Sequence, residues 1–186
     1  KTLSVVRKNE KWYACFFVEC TPEILSETGM EIGIDVGLES FISTTEGEQI
    51  APPKYFRSAE RGLRVSQRRL SRRENGSAGR KKARKIVARR HEKISNQRLN
   101  FHHQVAHRLV QKYDGFAVEN LRIINMVQNR HLAKSIMDAG WGQFLSILKA
   151  KAESAGRWYR EVDPRQTSQI CSACGVIVKK ALSVRI

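Results

Sequence analysis

Residues 31–50, EIGIDVGLESFISTTEGEQI, decide how the chain is read. The apolar run opening this stretch ends at Asp35, and Gly37 turns the chain. A second β-rich run over 40–45 stops at Gly47, and a third short strand follows. Strands joined this closely form a meander, and Asp35 is a lone acid at the C-terminal end of its first strand. The segment GFAVENL (115–121) has the same shape, with Glu119 ending a short apolar strand. Central strands bury both faces, so an acid there is costly unless something pairs with it. Strand C-termini in α/β sheets are also where sites are assembled. If strands 32–36 and 116–120 lie parallel and adjacent, both carboxylates emerge at one edge.

Outward from this stretch, residues 2–8 and 11–20 predict a hairpin turned at KNEK. Residues 133–156 predict one amphipathic helix closed by Gly156, and 157–164 a strand stopped by Pro164. Three meandering strands followed by alternating βα units imply an α/β fold: a mixed sheet with helices on its faces. Trp141 and Phe144 on the 133–156 helix belong to its core. His131 lies in a polar loop, solvated or touching nucleic acid.

The chain of 186 residues carries 34 Lys and Arg against 18 Asp and Glu, formally +16. A domain this basic usually meets polyanions, nucleic acid above all. The excess is local, because residues 57–98 hold sixteen cations and three acids. This segment reads as two helices broken at ENGSAG (74–79). Leu63 and Leu70 mark the apolar stripe of the first; Ala83, Val87, Ile94, Phe101, Val105 and Leu109 mark that of the second. A solvated helical arm normally mixes signs to gain i,i+4 pairs. A single sign costs self-repulsion unless a phosphate backbone lies alongside. The cations assigned to that surface are Arg64, Arg68, Arg69, Arg72, Arg73, Arg80, Lys81, Lys82, Arg84, Lys85, Arg89 and Arg90. Aromatic residues are scarce among them, which predicts reading of backbone shape rather than stacking on bases.

Several classes are excluded or disfavoured. No apolar run approaches the roughly 18 residues of a membrane span, and the charged start is not a signal peptide. Four cysteines in two unlike settings do not form a disulfide framework, which points to a reducing cytoplasm. Cys15 and Cys20 are expected to be small buried apolar groups. Cys171 and Cys174 make a CxxC followed by Gly175, the shape of half a zinc ribbon. His102, His103 and His107 sit on a helix without the His-x-His plus Tyr arrangement of a single-strand transposase.

Carboxylates clustered without basic partners suit Mg²⁺, a hard cation preferring oxygen, and two such ions can drive phosphodiester hydrolysis. The alternative is that Asp35 caps its turn and Glu119 pairs with a basic neighbour.

IGIDVGLESFISTTEGEQI, FAVENLRIINM, LAKSIMDAGWGQFLSILKAKAESAGR and VDPRQTSQICSACG occur here in order. Their order and spacing resemble those of TnpB proteins, transposon-encoded relatives of type V CRISPR effectors. The resemblance implies an RNase H-like (RuvC) nuclease that cuts target DNA under a guide RNA from the transposon end. Asp35 and Glu119 would be its first and second catalytic acids, holding a two-ion Mg²⁺ site. The basic hairpin (57–113) would lie along the guide–target heteroduplex. By the same likeness, residues 1–28 are the last strands of a β-rich wedge domain and 29–166 the RuvC-like domain. Residues 167–186 are the first half of a zinc ribbon, with Cys171 and Cys174 as half of a Zn²⁺ site. In the family a second CxxC and a third Asp follow. The chain is therefore expected to be a piece cut at both ends and inactive alone, and Asp163, which precedes the ribbon, is not that third acid. A prokaryotic, nucleoid-associated cytoplasmic protein is expected. Two other readings are a guided DNA binder without cleavage and a structural RNA-binding zinc-ribbon protein.

Overall fold

The computed structural model describes residues 2–22, 24–164 and 176. β1 (Leu3–Lys8) and β2 (Lys11–Phe16) form a separate two-stranded antiparallel ribbon. Its tip is the two-residue turn Asn9–Glu10, with Asn9 in the left-handed region at φ 55°. Every residue of both strands is exposed, Cys15 among them, and Cys20 beyond β2 is exposed too; both cysteines, expected to be buried, are free. The physical reason is that a lone ribbon has no second layer to cover either face. For the same reason β2 stops at Phe16 rather than running on to 20, leaving Phe17 and Val18 in solvent.

β3 (Glu31–Val36), β4 (Ile42–Thr44) and β5 (Gln49–Ile50) form the expected meander. α1 (Tyr55–Ser71) and α2 (Ala78–Lys112) pack as a helical hairpin. Ser77 caps α2 by accepting the Arg80 amide. At 35 residues α2 is about 50 Å long. Its C-terminal half is buried through Val105, Ala106, Leu109 and Val110, whereas its N-terminal half pairs with α1. β6 (Gly115–Glu119), α3 (Ile123–Met126), α4 (Ala133–Ala139), α5 (Trp141–Ser154) and β7 (Trp158–Val162) follow among the described residues. The expected single helix over 133–156 is two helices. Gly140, at φ 69°, ends α4 and starts α5, and a Cβ there would press on Arg98 and His102.

The second sheet runs β5-β4-β3-β6-β7. β3 pairs antiparallel with β4 and parallel with β6, and β7 joins parallel to β6. The sheet is mixed, with β3 and β6 central, as the sequence implies. Ile32, Ile34, Phe116 and Val118 pack with Val105, Leu109, Phe144 and Leu148 into one core. Phe41 meets Phe101 and Phe144 edge-on, each with centroids 5.0 Å apart. Trp141 and Phe144 are core residues, as expected. Among the described residues, no helix is long and apolar enough to cross a membrane.

Candidate active site

The pairing of β3 with β6 sets the site. Ile34 lies opposite Val118 in the parallel register, so Asp35 and Glu119 are the next positions of two adjacent strands. They leave the sheet at one C-terminal edge, the juxtaposition that their strand positions predict. The cost foreseen for an acid in a central strand is largely avoided, because Asp35 is exposed and Glu119 half-buried at that edge. Residual desolvation, and then the negative charge of Glu119, raise the pKa of Asp35 above the ordinary carboxylate value. The amide of Val36 opposes this only in part. The two carboxylates therefore share one electrostatic environment.

Beside them β7 contributes a cleft of about 550 Å³ lined by Asn120, Arg122, Glu161, Val162, Asp163 and Pro164. Glu119 lies opposite Val162 in the ladder. This cleft was not visible in the sequence, because it depends on β7 docking beside β6. Glu161 also holds the Tyr159 hydroxyl, already disfavoured from ionising by desolvation, up to about 12. No three His, Cys, Asp or Glu side chains among the described residues form a metal-binding group. Two carboxylates still fit Mg²⁺, which keeps several of its waters. The pKa of Asp35 is raised first by desolvation and then by the charge of Glu119, and a cation held between the two carboxylates would offset both. Cys171 and Cys174 lie outside the described residues.

The cations of the hairpin divide into groups. Arg64, Arg68, Arg69, Arg72, Arg73, Lys81, Lys82, Arg84, Lys85, Arg89 and Arg90 are exposed. Arg80 is turned inward, donating to the carbonyls of Leu70 (3.1 Å) and Arg73 (2.9 Å), so it closes the C-terminus of α1. Between the helices runs a groove with Val65, Ala83 and Ile86 on its floor; Arg61, Arg69, Arg73, Lys82 and Arg90 also line it. Lys85 and Arg89 both bond Glu10 at the tip of the β1–β2 ribbon, which lowers the pKa of Glu10. His131 is exposed, its amide donating to Asn129 Oδ1 at 3.0 Å. His102 is fully buried, with Nε2 2.9 Å from the Ala139 carbonyl. Burial lowers its pKa.

The chain is similar to several known proteins. A family profile described as "Probable transposase" (OrfB_IS605) matches residues 16–130, and one for a "Cas12f1-like, TNB domain" matches 141–186. A "Putative RNA-guided DNA endonuclease" of Streptomyces pristinaespiralis is 36% identical over 177 residues, covering 94% of this chain and 44% of that protein. InsQ of Escherichia coli (strain K12), described in the same words, is 26% identical over 198 residues, covering 97% and 49%. The chain thus spans a little under half the length of these relatives. A Cas12f1–sgRNA–target DNA complex solved by cryo-EM contains a chain of similar fold, with TM-score 0.55 and 16% identity over 94% of this chain and 45% of that one. A CRISPR-Cas12f ternary complex gives 0.54 and 19% over 89% and 34%. With the transposase profile spanning most of the sheet and hairpin, and a 36%-identical relative aligned along nearly all of it, the chain belongs to the TnpB family.

Proposed function

We propose that this chain carries the nuclease centre of an RNA-guided DNA endonuclease, with an RNase H-like RuvC site at the β3–β6 edge. The observation that supports it most is the in-register placement of Asp35 and Glu119 with suppressed ionisation of Asp35. Asp35 and Glu119 would hold Mg²⁺, which supplies an activated water and stabilises the leaving oxygen when bound. The protein's own part is to fix two oxygen donors on rigid central strands and to admit a backbone from the open edge. The α1–α2 surface grips phosphates of a guide RNA–target DNA duplex through charge and shape. Residues 1–28 would close a wedge domain, and Cys171 with Cys174 would contribute half of a Zn²⁺ site.

The test is DNA cleavage in Mg²⁺ by the protein in its natural reading frame, purified with co-expressed transposon-end RNA, beside Asp35→Ala. Loss of a metal-holding carboxylate removes several kcal/mol of transition-state stabilisation, so cleavage should fall on the order of a thousandfold while target binding persists. If both proteins bind matched target and neither cuts, the chain is a guided binder and the nuclease reading fails.

A further inference from the structure

α1 begins without a cap of its own. Lys54 precedes it at φ 50°, and no side chain at that position accepts from the first turn. The amides of Phe56 and Arg57 donate instead to Oδ1 (2.8 Å) and Oδ2 (3.1 Å) of Asp138, which is buried on α4. A carboxylate at a helix N-terminus is stabilised by those amides and by the helix dipole. Such a cap normally comes from the residue just before the helix and completes one element. This one comes from about eighty residues downstream and therefore joins two.

Further bonds flank it. The guanidinium Nη2 of Arg57 donates to Ser135 Oγ at 2.6 Å, and Lys134 Nζ pairs with Glu60 at 2.7 Å. Arg98 of α2 lies 3.5 Å from Asp138 and offsets its buried charge. The clasp matters because the two helices of the hairpin are anchored differently. α2 is rooted in the core by its own C-terminal half, whereas only Leu63 and Ser66 of α1 are buried. α4 follows the segment leaving Glu119, and a 240 Å³ cavity beneath it is lined by Leu38, three residues beyond Asp35, with Lys54, Arg57, Ser135 and Asp138.

We propose that Asp138 is a positioning residue: it fixes the root of α1 against α4, and so sets the register in which the cations of α1 present a bound backbone to the Asp35–Glu119 edge. This rests on the nuclease reading above. α1 is about 25 Å long, so a tilt of about 10° at its root moves its far end by about 4 Å. A misplacement of about 1 Å can cost on the order of a hundredfold in rate.

The experiment compares wild type, Asp138→Asn and Ser135→Ala, each in the natural reading frame with guide RNA. Three readouts are taken: amide exchange, hydroxyl-radical footprints on bound target, and single-turnover cleavage at saturating target. Asp138→Asn places an amide NH₂ against a backbone N–H. It should speed exchange at Phe56 and Arg57 roughly tenfold or more, leave β6 amides unchanged, shift the footprint, and slow cleavage by roughly tenfold with target affinity kept within about threefold. Ser135→Ala keeps the cap and should move every readout the same way by about two- to threefold, so it carries the test if Asp138→Asn does not fold.

Unchanged exchange at Phe56 and Arg57, or an unshifted footprint, overturns the proposal. So does exchange that rises equally in β6, since that is general destabilisation. A wild type that binds without cutting sinks the nuclease reading instead, and the footprint still decides whether Asp138 sets register.

Discussion

Among the described residues, Asp35 is the one carboxylate whose ionisation the fold clearly opposes, and the sign of that effect makes a prediction. Its raised pKa means that the folded state keeps this proton to higher pH than the unfolded chain does. The stability so gained is full below the ordinary value of 3.8 and is lost as pH rises through the folded value. At neutral pH, Asp35→Asn should therefore raise the melting temperature while abolishing cleavage. The two melting curves should converge as pH falls below 3.8, and added Mg²⁺ should stabilise wild type only. Melts across pH, with and without the ion, check this. A lower melting temperature for Asp35→Asn at neutral pH would show that the carboxylate is a structural partner. Asp35 and Glu119 were legible because an acid ending an apolar strand breaks a local pattern. Asp138 was not legible, because its partners are about eighty residues away and no pattern around it is broken.

At the scale of elements, the hairpin was the most readable part of the chain. Its apolar stripe and its punctuation at 74–79 predict two helices, and α1 and α2 match them closely. The pattern could not tell a phosphate-facing arginine from a structural one. Arg80 shows this, since its contacts are carbonyls of the preceding helix. Replacing Arg68, Arg72 and Arg84 together by Ala should reduce the salt dependence of target binding, lowering the slope of log K against log salt by up to about 3. Arg80→Ala should instead lower the melting temperature, by about 1–2 kcal/mol of stability. Binding titrations at several salt concentrations, alongside melts, separate the two. The break at Gly140 escaped notice because the apolar spacing of 133–156 runs through it without interruption. The left-handed φ of 69° at that position favours glycine, and the close approach of Arg98 and His102 leaves no room for a Cβ.

For the whole molecule, the meander and the later βα alternation predict the mixed sheet, but not how tightly its strands approach. Gly115 opens β6 beneath the indole of Trp158, which also donates to Glu31 at 3.1 Å. A Cβ at 115 would fall inside the Trp158 ring. Gly115→Ala should cost about 3 kcal/mol by forcing β7 from β6, a loss that denaturant unfolding would measure. Little change would mean that the indole swings away freely. Cys15 is exposed against expectation because alternation reveals a strand's two faces but not whether either is covered, and Cys20 lies beyond the end of β2.

The parallel β3–β6 pair has a consequence in time. More than eighty residues separate Asp35 from Glu119, and most of them form the α1–α2 hairpin. At synthesis rates of about 5–20 residues per second, β3 leaves the ribosome roughly 4–16 s before β6 follows. The hairpin, built from local contacts, can form within that interval, whereas the sheet must wait for its distant strand. The nascent protein would thus have its cationic helices before its paired carboxylates: it would be able to hold a polyanion before it could cut one.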